Sequence, residues 1–403
     1  MTRFLCIVSS QYGHINPTLA VVQELVERGD TVIYYATEQF RPSIEATGAT
    51  FRGYTSIVTR RWAHMASTSD DPRDNPFIRM GHEAIEQCNH VLSQIREDAA
   101  GHDADYVLYD TTSGKMIAEL LHLPAIQFYS SYALNQQFNP MAEQLQLLAT
   151  GPSAQAFLEV KKAFNDFRTS YQLPPLPFSS LLLSVEPLNI VFLPRTLQPF
   201  QASFDHRFTF VGPSIRPRFS PPGFPLEKLG QHPLLYISLG TIFSTHHQLD
   251  FIRDCLQAFS NSDWLVIQSI GKEIDRAQLE PLPENFLVYQ HVPQLEVLQQ
   301  ADIFITHGGM NSTLEALYYG IPLVFVPQMP EQEMTAQQFA RRGLGIHLAK
   351  ADLTADLLQK TVMQIHTDPT FRANAQAMQN IVRASGGYVE AANTIQRFVE
   401  SNN

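Results

Sequence analysis

The sequence predicts an α/β chain of two doubly wound domains, each a parallel sheet wrapped by helices, and three observations carry that prediction. The chain has 403 residues, enough for two domains of about 200 residues that each build their own core. Apolar runs of the kind found in strands buried on both faces, such as 4–9, 106–109 and 303–306, alternate with helical patterns. Five prolines fall within the fourteen residues 212–225, where neither a helix nor a central strand tolerates them, so the domain boundary belongs there. The division expected is 1–211, a linker at 212–232, 233–385, and a terminal helix at 386–403.

Composition narrows the function classes. A hydrophobic share of 44% with 17% charged residues describes an ordinary globular protein. The net charge of −11, with no basic run longer than two, argues against nucleic acid, because a binder must neutralise phosphates with clustered Lys and Arg. The apolar start is too short for a signal peptide or a membrane span. Cys6, Cys88 and Cys255 are far apart and odd in number, so neither a disulfide framework nor a zinc site is expected. These features predict a cytoplasmic chain with no membrane partner.

In chain order, 4–9 reads as a first strand, residues 11–17 as a turn, 19–28 as a helix ended by Gly29, and 31–36 as a second strand. This βαβ start has no G-x-G-x-x-G and offers His14 instead, at the sheet edge that faces the crevice of an open α/β fold. A lone loop histidine is more often a surface or capping residue. Residues 40–100 are irregular apart from an amphipathic helix near 78–99. His82, Cys88 and His90 do not share one face of it, and read as structural. A strand at 106–109 ends at Asp110, on the same edge as His14. There a carboxylate either fixes the tautomer of an imidazole or caps the next helix, two readings equally open on sequence. After a strand at 124–132 comes an apolar-rich irregular stretch to 185; of the aromatics of the two, among them Phe128, Tyr132, Phe157 and Phe164, most are expected in the core and a minority in an acceptor pocket. Strands at 189–194 and 208–211 close the first domain.

The second domain opens with a strand at 234–239 followed by Gly240 and Thr241, a turn placed like that of residues 11–14 and a candidate phosphate contact. A helix at 248–259, strands at 264–269 and 286–289, and a proline-ended turn at 291–294 follow. The stretch 301–337 organises the whole chain. It reads strand, His307-Gly308-Gly309, helix, Gly320, strand. The glycines let a ligand approach the backbone, and the helix start offers amides, a positive dipole end and the short polar side chains of Asn311, Ser312 and Thr313 to an anion. Glu315, one turn on, suits a ribose diol. Ser312-x-x-Glu315 also fits a capping box, which needs no ligand. Helices near 354–366, 369–384 and 388–400 end the chain.

His307-Gly-Gly-Met-Asn-Ser-x-x-Glu315, followed by Glu331-Gln332, resembles the donor signature of UDP-dependent glycosyltransferases. Within them the chain is similar to the bacterial macrolide-type branch (glycosyltransferase family 1), which shares the HGGMNST, VPQLEVL and P-x-x-x-EQ runs. The resemblance covers nearly the whole chain. It implies the GT-B fold, two Rossmann-like domains facing across a cleft, with the terminal helix crossing back to the first domain.

The resemblance also implies roles. His14, within G-H-x-N-P, is the general base and Asp110 its partner. Val292 and Gln294 contact uracil, and Glu315 holds the ribose. Ser238, Gly240, Thr241, His307, Gly309, Asn311 and Ser312 surround the diphosphate, while Glu331 and Gln332 bind the sugar. No metal is expected, since amides and a histidine serve the diphosphate. His291, Met310, Met329 and Pro330 depart from the plant branch, which leaves uracil stacking and sugar choice open. The implied reaction is inverting transfer of glucose from UDP-glucose, a co-substrate, to a small hydrophobic acceptor such as a flavonoid, another phenol or a macrolide, by a monomer. Rival readings are a UDP-N-acetylhexosamine epimerase on the same fold and a non-catalytic UDP-sugar-binding protein.

Overall fold

The computed structural model describes residues 1–54, 75–97, 103–177, 183–216, 224–225, 229–230, 232–240 and 245–402. The chain divides into two compact units: the described residues through Ser214 together with the segment from Gly386 to the C-terminus, and those from Ile215 to Ser385.

The first unit is built on β1 (Arg3–Ile7), β2 (Thr31–Ala36), β3 (Thr50–Gly53), β4 (Tyr106–Tyr109), β5 (Ala125–Tyr129), β6 (Leu188–Val191) and β7 (Phe208–Phe210). They form one sheet in the order β3-β2-β1-β4-β5-β6-β7, parallel throughout. All four residues of β4 and all five of β5 are buried, because helices cover both faces. Phe4, Cys6 and Leu108 pack on one side and Leu5, Ile7 and Val107 on the other. The terminal helix Gly387–Asn402 belongs to the first of these layers, where it buries Ala391, Ala392, Ile395 and Val399. Burial of the last two stabilises its docking by about 1.5 to 3 kcal/mol each.

Helix Tyr12–Glu27 starts earlier than the sequence suggests, so residues 12–17 are helical and Pro17 lies inside. At the sixth helical position a proline forfeits one early backbone bond, which the buried face of Ile15, Leu19, Val22 and Leu25 outweighs. The stretch expected to be irregular contains two helices, Ala142–Thr150 and Ala154–Ser170. Phe157 and Phe164 are core residues of the second. Helix Pro76–Glu97 matches the amphipathic pattern up to residue 97; the expected end near 99 lies outside the described residues. Its Cys88 is buried while His82 and His90 are exposed.

The second unit repeats the plan with β8 (Leu234–Ser238), β9 (Leu265–Ser269), β10 (Phe286–Tyr289), β11 (Ile303–Thr306), β12 (Leu323–Phe325) and β13 (Gly345–His347). The order is β10-β9-β8-β11-β12-β13, again parallel. Helix Met310–Tyr318 follows β11, and two helices missing from the sequence reading, Gln294–Leu298 and Pro330–Ala340, flank it in the chain. Each sheet reverses its winding once: between β1 and β4 in the first, between β8 and β11 in the second. Ligands of open α/β sheets bind beyond the carboxyl ends of the strands at such a reversal. Among the described residues, no helix is long and apolar enough to cross a membrane.

Candidate active site

At the reversal of the first sheet, Ile7 pairs with Tyr109, which brings the segments leaving β1 and β4 side by side. His14 lies in the first turn of helix Tyr12–Glu27 rather than on a loop, and Asp110 directly follows β4. His14 Nδ1 stands 2.5 Å from Asp110 Oδ2. The other carboxylate oxygen, Oδ1, accepts the Ser9 amide at 2.8 Å. Asp110 therefore does not cap the next helix. Thr111 does, its hydroxyl accepting from the Gly114 amide at 3.1 Å. The Asp110 side chain is 2% exposed and that of His14 35%, so the carboxylate is withdrawn from water while the imidazole reaches it. A buried carboxylate on Nδ1 fixes the tautomer with the proton there and directs Nε2 outward as the basic nitrogen. Ser130 Oγ, beyond β5, lies 3.2 Å from the same Nδ1. Its one signal in the sequence is its place on the same sheet edge.

At the reversal of the second sheet, Thr306 pairs with Ser238. The His307 ring is enclosed by glycine. A Cβ on Gly240 would sit 2.8 Å from its Cε1 and one on Gly309 2.4 Å from its Nε2. Gly240 also has φ +80°, a conformation that L side chains rarely adopt. These two glycines thus make room for a protein side chain as well as for any ligand. Burial pushes the His307 imidazole down to about 4, against an opposing backbone contact with Ser238, so at neutral pH the ring is uncharged. Gly309 is the N-cap, and helix Met310–Tyr318 begins directly after it with no side-chain cap. Ser312 is the third helical residue. The capping-box reading of Ser312 and Glu315 fails, since a residue inside the helix cannot cap it.

Glu315 is 3% exposed and has a different partner. Gln294 Nε2 donates to Glu315 Oε2 at 2.6 Å and reaches Ser312 Oγ at 3.4 Å, while Gln294 Oε1 accepts the Tyr236 hydroxyl at 3.0 Å. Tyr236 went unnoticed in the sequence because it reads there simply as one apolar member of β8. Two rows of the second unit thus converge: amides and glycines around His307, and a carboxylate held by an amide one helical turn away.

Comparison with known proteins decides the family. A family model described as "Erythromycin biosynthesis protein CIII-like, C-terminal domain" matches residues 253–397. The NDP-glycosyltransferase YjiC of Bacillus subtilis (strain 168) is 37% identical over 396 residues, which are 97% of this chain and 96% of that protein. The chain is a bacterial macrolide-type glycosyltransferase of family 1. The demethyllactenocin mycarosyltransferase of Streptomyces fradiae is 31% identical, covering 95% of this transferase and 84% of that one. The crystal structure of the glycotransferase of kitacinnamycin has a TM-score of 0.82 at 28% identity, with 98% of each chain covered. The paired parallel sheets are those of the GT-B fold.

The remaining expected positions of the transferase distribute as follows. Ser238 ends β8 and is buried, its hydroxyl accepting from the Gly240 amide at 3.4 Å. Asn311 sits beside Ser312 in the first helical turn, and Val292 is half-buried before Gln294. Glu331 is exposed at the start of helix Pro330–Ala340. Gln332 is buried, and its Oε1 accepts the Gln328 amide at 2.9 Å. Thr241 lies outside the described residues.

Proposed function

We propose that this transferase moves glucose from UDP-glucose to a hydroxyl group of a small hydrophobic acceptor (a flavonoid, another phenol or a macrolide) with inversion at the anomeric carbon. The observation that carries the reading is the pair His14–Asp110, 2.5 Å apart with the carboxylate buried. His14 Nε2 removes the proton of the acceptor hydroxyl, whose oxygen bonds to the anomeric carbon as the bond from that carbon to the diphosphate breaks. Asp110 stabilises the imidazolium that results, and the electron pair leaves with UDP. The start of helix Met310–Tyr318 receives the developing charge through the amides at Asn311 and Ser312, with Ser238, Gly240, Thr241 and the uncharged His307 around the diphosphate. Glu315 accepts from the ribose hydroxyls, Val292 and Gln294 serve the uracil side, and Glu331 and Gln332 face the sugar.

UDP-glucose is chosen because the relatives are named as nucleotide-sugar transferases and the site offers a carboxylate for a ribose diol. No metal is required in this reading. The chain acts as a cytoplasmic monomer, which sedimentation of the purified protein checks.

The test is mass-spectrometric detection of product after incubating the protein with UDP-glucose and a panel of phenolic and macrolide acceptors, with and without a chelator. A product heavier by one hexose, formed equally with the chelator and lost in His14→Ala, is the expected result. Sugar isomerised from UDP-sugar alone, or UDP bound with no acceptor modified, contradicts the proposal.

A further inference from the structure

A buried chain of hydrogen bonds runs in the second unit from the Tyr236 phenol to Glu315. The phenol donates to Gln294 Oε1 at 3.0 Å, and Gln294 Nε2 donates to Glu315 Oε2 at 2.6 Å. The direction of the chain is forced at its end. A carboxylate only accepts, so the amide nitrogen of Gln294 must face Glu315 and its oxygen must face Tyr236. Tyr236 is 1% exposed, and its ring stacks on Phe304 with centroids 4.5 Å apart and planes 9° from parallel. Burial and the nearby Glu315 charge push the phenol up, so it keeps its proton and remains a donor.

We propose that Tyr236 is a positioning residue of the donor site: by holding the Gln294 carboxamide in one orientation it fixes the Glu315 carboxylate for the ribose diol of a nucleoside diphosphate. The inference rests on the proposed ribose role of Glu315. Tyr236 touches neither the sugar nor the reacting atoms in this account; it acts through Gln294. Ring stacking on Phe304 within the parallel sheet makes the phenol a rigid support, since β8 and β11 are hydrogen-bonded neighbours. Gln294, in contrast, opens a short helix of five residues and depends on its side-chain contacts for its orientation.

Calorimetric titration of UDP into the full chain tests this with Tyr236→Phe, Glu315→Gln and the double variant. Tyr236→Phe keeps the stacked ring and removes one oxygen. The expected result is a loss of UDP affinity of about three- to tenfold, a matching rise in KM for the donor, and kcat within about twofold of the parent. Glu315→Gln loses more, and the double variant loses no more than Glu315→Gln alone, because Tyr236 works only through that carboxylate. A merely structural tyrosine would lower melting temperature without this split or this non-additivity. UDP affinity unchanged in Tyr236→Phe but weakened in Glu315→Gln overturns the proposal and leaves the ribose reading standing, as do losses that add in the double variant. No effect of Glu315→Gln overturns both. If Tyr236→Phe does not fold, Tyr236→Leu removes the same donor oxygen and carries the same predictions.

Discussion

The carboxyl ends of β1 and β4 in one unit and of β8 and β11 in the other occupy the same place in the same topology, yet their chemistry differs. The first presents a titratable side chain on a buried carboxylate, His14 on Asp110. The second also holds a histidine, but encloses it among Gly240 and Gly309 and keeps it uncharged, with a helix starting directly after Gly309. Winding order chooses where a site stands, and the residues of the turns choose what it does. In the proposed function, the carboxylate behind the first imidazole makes it a base, and the glycines and helix start around the second make an anion seat.

The largest effect should come from uncoupling the first pair. Asp110→Asn takes away the buried charge opposite the imidazolium, and breaking such a pair costs about 3 to 5 kcal/mol. Turnover should therefore fall by roughly 10²- to 10⁴-fold, with UDP affinity unchanged by calorimetry; a loss confined to UDP affinity would break the contrast between the two units. The second histidine should show itself in stability rather than rate. Its folded pKa lies below the unfolded value, at about 4 against 6.5, so between those values the unfolded chain binds more protons. The stability present above pH 6.5 is lost as pH falls towards 4, by about 2 kcal/mol between pH 7 and pH 5. His307→Gln should flatten that part of the urea-midpoint profile, and an unchanged profile would show that the ring titrates normally.

Two smaller effects sharpen the account of the anion seat. Glu315→Ala should weaken UDP binding by about 1.5 to 3 kcal/mol, the worth of a hydrogen bond to a charged group. Because the carboxylate is buried against Gln294, melting temperature should fall as well. A fall in melting temperature alone would make Glu315 structural. Gly240→Ala adds a methyl 2.8 Å from the His307 ring at φ +80°, a strain of about 1 to 3 kcal/mol, and should lower UDP affinity by moving the ring. Unchanged affinity would mean that the ring's position is immaterial to the nucleotide.

The sequence made the fold class legible because strands buried on both faces read as unbroken apolar runs, as 106–109 and 303–306 do. It hid helix Pro330–Ala340, whose buried face includes Gln332 and Thr335, so no apolar period appears. It misplaced the start of helix Tyr12–Glu27 because Pro17 signals a break that the packed face of that helix overrides. At the site, His14, Asp110, His307 and Glu315 could be picked out because their motifs carry a family pattern. Their alternatives could not be settled from spacing. Thr111 rather than Asp110 caps a helix, and Ser312 caps none. Both outcomes depend on where a helix begins to within one residue, the least legible boundary in any sequence. Tyr236 and Ser130 stayed hidden because their partners come from distant segments: Gln294 is 58 residues from the one, and His14 is 116 from the other.

The most direct measurement of the division of labour pairs two readings on His14→Ala: the initial rate of hexose transfer from UDP-glucose to an accepted phenol, and the Kd for UDP by calorimetry. Positioned proton transfer is worth roughly 10²- to 10⁴-fold, so the account predicts a rate lower by that factor and a Kd within about twofold of the parent. An undiminished rate, or a Kd weakened as much as the rate, would contradict it.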